Sequence, residues 1–170
     1  AFAALTNENS IITWGRKDYG GLASSSVTRL NNVKTIFTNE AAFVALTMDN
    51  SVVAWGAQNA GGAPPQSVLQ ATNVKHVFSS LKAFVALTHD NSIIAWGDSN
   101  YGGAPPPYIV SLRNIETVFS TEMAFAALTF ESSIVAWGQS MHGGSPPSSI
   151  TNLTNIKTVF STAYAFAAMT

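Results

Sequence analysis

Apolar residues in this chain gather in short runs separated by polar or glycine-rich stretches. Val33-Lys34-Thr35-Ile36-Phe37 is a β-branched run, and Ala42-Phe43-Val44-Ala45-Leu46-Thr47 follows it closely. Met48-Asp49-Asn50-Ser51 then interrupts, and Asp and Asn favour turns because they tolerate left-handed backbone and bond their own main chain. Val52 to Gly56 reads as the return strand of a hairpin. Ala57 to Pro65, carrying Gly61-Gly62 and Pro64-Pro65, reads as irregular. Ser67 to Thr72 fits a short fourth strand. The strong strands do not alternate apolar with polar: Phe43 and Ala45 face one way, Val44 and Leu46 the other, and all are apolar. Such a sheet is covered on both faces.

The whole pattern repeats. Trp14, Trp55, Trp96 and Trp137 stand 41 residues apart, as do Phe2, Phe43, Phe84, Phe125 and Phe166. The same step links Gly20-Gly21 to Gly61-Gly62, Gly102-Gly103 and Gly143-Gly144, and no insertion breaks the phase. A fixed period of this length signals a propeller, a solenoid or an array. Four units are expected, at about 1–41, 42–82, 83–123 and 124–164, in one repeat domain. A terminal strand at 165–170 duplicates residues 1–6. The expected fold is all-β, with propeller-like blades or, alternatively, a β-solenoid of stacked hairpins.

The hairpin Ala-Leu-Thr-x-Asp-Asn-Ser-Val/Ile-x-Ala-Trp-Gly, followed by a Gly-Gly loop, resembles the repeat of the regulator-of-chromosome-condensation family. The resemblance covers all four units and implies four-stranded propeller blades, seven to a ring in that family. The Gly-x-x-His ahead of the family's Ala-Leu is absent here. The family's Asp-Gly turn is replaced by Glu8-Asn9, Asp49-Asn50, Asp90-Asn91 and Glu131-Ser132. Nucleotide exchange and chromatin binding are not transferred, because they reside in loops with no counterpart in this sequence.

Composition narrows the function. The chain has no cysteine, which removes disulfides, zinc thiolates and a thiol nucleophile. Net charge is −1 and 10% of residues are charged, against about 25% in an average soluble domain. There is no basic patch for nucleic acid, and a weakly charged surface resists self-association poorly. The sequence begins at Ala1 without methionine or a hydrophobic leader, so a processed product or a piece of something longer is expected. Its apolar runs are far shorter than the ~20 residues of a membrane-spanning helix.

Candidate chemistry is sparse. His76, His89 and His142 occupy three different repeat positions without partner ligands, so no metal, cofactor or catalytic residue is expected. The tryptophans and phenylalanines above are assigned to the repeat core. Tyr19, Tyr101 and His142, which vary just before each glycine pair, are the candidate binding positions, since specificity concentrates on variable loops of a rigid scaffold. Asn152-Leu153-Thr154 is a glycosylation sequon. Phe166, Ala168 and Thr170, in the duplicated strand, are candidates for pairing between copies, because an unpaired edge is a template.

The leading expectation is a non-enzymatic structural repeat protein that self-assembles head to tail, as a unit of an extracellular filament or surface layer. The alternatives are a monomeric propeller that binds other proteins and a lectin-like propeller that stacks sugars on aromatic rings. An extracellular or cell-surface setting is expected, with the cytoplasm as alternative.

Overall fold

The computed structural model describes residues 1–170. Five antiparallel sheets follow one another along the chain. The first pairs β1 (Phe2–Leu5) with β2 (Ile11–Trp14), and a single helical turn, α1 (Ser25–Thr28), follows it. Next come β3 (Val33–Thr38), β4 (Ala42–Thr47) and β5 (Val52–Gly56), then α2 (Gln66–Leu69). The third sheet holds β6 (Val74–Ser79), β7 (Ala83–Thr88) and β8 (Ile93–Gly97), with α3 (Pro107–Val110) after it. The fourth holds β9 (Ile115–Ser120), β10 (Ala124–Thr129) and β11 (Ile134–Gly138), then α4 (Ser148–Thr151). The last pairs β12 (Thr158–Ser161) with β13 (Phe166–Met169).

Three complete sheets are thus bracketed by two partial ones. The first lacks an opening strand and the last lacks a closing strand. Each complete sheet takes its opening strand from before residue 42, 83 or 124 and its other two from after it, so the spatial unit keeps the period in a shifted phase.

Each middle strand is buried along its whole length, as the lack of alternation requires. Its two faces serve different cores. Phe43 and Ala45 of β4 join Ile11, Val27 and Val33 on the side of the preceding unit. Val44 and Leu46 join Phe84, Ala86 and Trp96 on the side of the following one. The next two seams repeat the arrangement around Phe125 and around Ile156. Each core therefore lies between two consecutive sheets, and a single unit has none of its own. Alanine at 45, 86 and 127 keeps the facing sheets close.

The blades have three strands, not the four that the resemblance implies. The region read as a fourth strand, Ser67 to Thr72, contains the last residues of α2 instead. Pro64 and Pro65 cannot donate to a sheet, and Pro65 caps a helical turn in which Leu69 and Gln70 donate to the carbonyls of Pro65 and Gln66. Only Val68 of this turn is buried, whereas a strand would need alternate residues inside. The stretch from Ala57 is also more regular than expected, with a 3-10 turn at Gln58–Ala60.

Hairpin turns fix the spacing of the sheets. Asn9, Asn50, Asn91 and Ser132 take positive φ, between 58° and 61°. Their carbonyls accept from the backbone N–H groups of Val33, Val74, Ile115 and Ile156, each opening the next unit, at 2.9–3.0 Å. A second backbone ladder runs along the other end of the sheets, from Glu40 to Leu81, Leu81 to Glu122 and Glu122 to Ala163.

Candidate functional site

Two surfaces follow from this build: the seam between units, with its two uncovered ends, and a row of loops.

In the seam, each tryptophan lies on the phenylalanine paired with it across the hairpin. Phe43 and Trp55 stack at 5.2 Å, Phe84 and Trp96 at 5.5 Å, Phe125 and Trp137 at 5.6 Å. Every internal indole donates to the carbonyl of the first loop glycine of the preceding unit: Trp55 to Gly20 and Trp137 to Gly102 at 3.2 and 2.9 Å, and Trp96 to Gly61 likewise. Gly61 has φ +90°, and a Cβ there would lie 2.8 Å from Cδ2 of Phe84. Glycine at this position serves both the backbone conformation and the close approach of the ring. The three internal tryptophans are buried, so their faces are closed to a sugar.

The loops carry 3-10 turns at Lys17–Tyr19, Gln58–Ala60, Ser99–Tyr101 and Ser140–His142. A polar side chain between the first two strands of a blade holds the loop. Asn39 Nδ2 donates to the carbonyl of Ala60 at 2.8 Å, Ser80 Oγ to that of Tyr101 at 2.7 Å, and Thr121 Oγ1 to that of His142 at 3.0 Å. This device was missed in the sequence. A small polar residue recurring at 39, 80, 121 and 162 is the signal that reveals it. The rings of Tyr19 and Tyr101 are half-buried against the core, under Arg16 at 4.4 Å and Lys82 at 5.1 Å. His142 is half-buried and packs against Tyr164 at 5.0 Å. Outside the pinned backbone the loops vary freely, and Met141 is 84% exposed.

At the ends the seam is open. Phe2 and Trp14 stack like the internal pairs, at 5.4 Å, yet are 63% and 50% exposed, while Phe84 and Trp96 are 0% and 3%. At the other end Phe166 has no indole partner. Beside it lies a groove of about 240 Å³, lined by Ala136, Gly143, Pro147, Ile150, Phe166 and Ala168. Of the other candidates, Ala168 is half-buried in β13, and Thr170 and Asn152 are exposed.

Titratable groups stay dispersed, with no cluster of three His, Asp or Glu side chains. Thr47 donates to the Asp49 carboxylate and Thr88 interacts similarly with Asp90, and these bonds hold both carboxyls below their usual range. His76 packs between Phe37 and Phe78 at 4.8 and 4.7 Å, and desolvation lowers its pKa.

No protein-family model and no curated protein sequence matches the chain. Solved structures do. Human WBSCR16 aligns with a TM-score of 0.58 at 16% identity over 99% of this chain and 50% of its own. The ectodomain of the Physcomitrella patens receptor kinase CR4 aligns at 0.55 with 14% identity, over 85% of this chain and 38% of its own. Yeast RCC1 (Prp20), solved with Kap60 bound, aligns at 0.54 with 16% identity, over 80% and 41%. The chain therefore spans half or less of the length of these structures. At such identities the likeness speaks for the fold: this is a row of RCC1-like β-propeller blades.

Proposed function

We propose that this chain is a non-enzymatic protein-interaction scaffold, which presents its loops from a rigid row of blades. One observation carries the reading. The loop backbone is pinned in the same way in successive units, by Asn39, Ser80 and Thr121, while the residues it displays differ. Ala57-Gln58-Asn59-Ala60 in the first of the pinned loops becomes Asp98-Ser99-Asn100-Tyr101 and Gln139-Ser140-Met141-His142 in the next two. Constant geometry with changing side chains suits recognition of an extended protein surface. The structure of yeast RCC1 with Kap60 bound supports the class of partner.

Affinity capture with the native chain, beside a variant whose loops all carry the Ala57–Ala60 sequence, tests this. The native chain is expected to retain a partner that the equalised variant loses. Identical retention by both overturns the reading.

Self-association is a second reading, favoured by a surface with little charge to keep copies apart, since 10% of residues are charged and the net charge is −1. An extracellular setting is part of that reading and is supported by the exposed sequon at Asn152.

A further inference from the structure

We propose that the outer edge of β11 is a docking slot for an extended, uncharged segment of a partner protein, which lies along it as the fourth strand that the blade lacks. The slot goes beyond the loop reading above and does not rest on it.

Hydrogen bonding along the hairpin leaves this edge free. The Thr129 N–H donates to the Ser133 carbonyl at one end of the hairpin and the Gln139 N–H to the Met123 carbonyl at the other, both at 2.9 Å. Bonded and non-bonded pairs alternate in an antiparallel ladder. Between these limits Val135 and Trp137 therefore turn their main-chain groups to β10, and Ile134 and Ala136 turn theirs outward. No loop backbone bonds those outward groups. In a four-stranded blade the outermost strand would satisfy them. Here Pro146 lies beside them, and proline has no N–H to give. Ala136 is only 8% exposed, so its free N–H and carbonyl reach the surroundings through the groove alone. Buried main-chain groups are almost always paired, and an unpaired edge is a template for a strand.

The groove along this edge encloses about 430 Å³ and is lined by Tyr108, Ser133, Ile134, Val135, Pro146 and Thr151 among others. Its walls come from two helical turns. Ile109 anchors α3 in the core between the third and fourth sheets, and Ile150 packs α4 against the core between the fourth and fifth, so β11 runs between them. Gly144 closes the far end of the slot, since a Cβ there would lie 2.5 Å from the carbonyl carbon of Gly138. The open length, Ser133 to Ala136, takes about four residues of an extended chain.

Tyr108 gives this blade a wall that the others lack. Its equivalents are Ser26, Ser67 and Ser149. β5 and β8 present the same outward positions, Val52 and Ala54, Ile93 and Ala95, but no groove lies along them. The Tyr108 side chain is 62% exposed and stands ready to cover an occupant. When a strand is added to an edge, the main-chain ladder supplies affinity and such side-chain walls supply specificity. No charged residue lines the groove, so a charged side chain entering it would lose hydration without gaining a partner. The occupant is therefore neutral where it passes Tyr108.

A phage-displayed library of seven-residue peptides, selected on the native chain, tests this. Enriched peptides are expected to be uncharged and to bind saturably as free synthetic peptides. Tyr108→Ser should weaken them roughly tenfold, the worth of one aromatic contact. Ala136→Pro should abolish binding, because it removes an outward donor that the sheet itself does not use. Both variants should keep the native circular dichroism spectrum. Amide exchange supplies a readout on the unaltered chain: the Ile134 and Ala136 N–H groups should exchange faster than those of Val135 and Trp137, and slow when peptide is bound. The loop-equalised variant should bind the peptides as the native chain does, so failure here and failure of the scaffold reading give different results. Enrichment of no peptide, binding indifferent to Tyr108→Ser, or edge amides already protected in the free chain overturns the proposal. Self-association weakened by Tyr108→Ser, with no peptide enriched, would assign the edge to a second copy and overturns it too.

Discussion

The indole Nε1 of Trp96 donates to the carbonyl of Gly61 across 3.0 Å, a bond between consecutive units made inside the buried seam. Phenylalanine at this position keeps the stacking face but leaves the buried carbonyl without its donor. Trp96→Phe is expected to destabilise the fold by about 1–3 kcal/mol, the penalty of an unpaired buried polar group. Trp14 is half exposed, so Trp14→Phe should stay within about 0.5 kcal/mol, as surface changes do. Urea denaturation of the two variants measures the contrast.

Ser132 takes φ 58° at a turn where the other units have asparagine. Serine is strained in the left-handed region, which asparagine tolerates better through local hydrogen bonding. Ser132→Asn should therefore stabilise the chain by about 0.5–1 kcal/mol, part of the left-handed penalty. The Ser132 carbonyl bond to Ile156 is a backbone bond and is retained. Thermal melting showing no gain, or a loss, contradicts this.

His76 stands where the other units have Thr35, Thr117 and Thr158. Desolvation lowers its pKa from the ordinary 6.5. The unfolded chain therefore binds the proton more readily than the folded one between the lowered value and 6.5, and stability falls as pH drops through that window. His76→Thr should flatten this part of the profile. Asp49 and Asp90 act lower on the scale. Their folded pKa values lie below 3.8, so their stabilisation is present above that pH and lost as pH falls through the folded values. That second loss should persist in the variant, and denaturation at a series of pH values separates the two.

Ile109 of α3 is fully buried, whereas Ile150, its equivalent in α4, is only partly covered beside the open groove. Ile109→Ala should cost about 2–5 kcal/mol, as large-to-small changes in packed cores do. Ile150→Ala should cost clearly less. Equal losses would mean that the groove is not open in solution.

The strands were legible in the sequence because their residues obey two constraints at once. Val52 to Gly56 is bounded by turn residues on one side and glycine on the other, and Ala42 to Thr47 is apolar on both faces, so length and burial follow directly. The helical turn at Gln66–Leu69 was not legible, because one buried valine in four residues has no period to read. Nor was the phase of the spatial unit, since a repeat carries no mark of where a sheet starts until hydrogen bonds define it. The pinning of the loops by Asn39, Ser80 and Thr121 was hidden by their different identities. Their shared role depends on one hydrogen-bonding group, which three residue types can supply.

The hairpin carbonyls of Asn50 and Asn91 receive the N–H groups of Val74 and Ile115 in the same manner. Excision of residues 74–114 would bring Ile115 to the carbonyl that Val74 now uses, with the following sheet arriving in unchanged register. Such a molecule can shorten or lengthen by whole multiples of its period, each surviving strand meeting the equivalent strand of another unit, with changes confined to the positions where the units differ, such as His76 against Phe37.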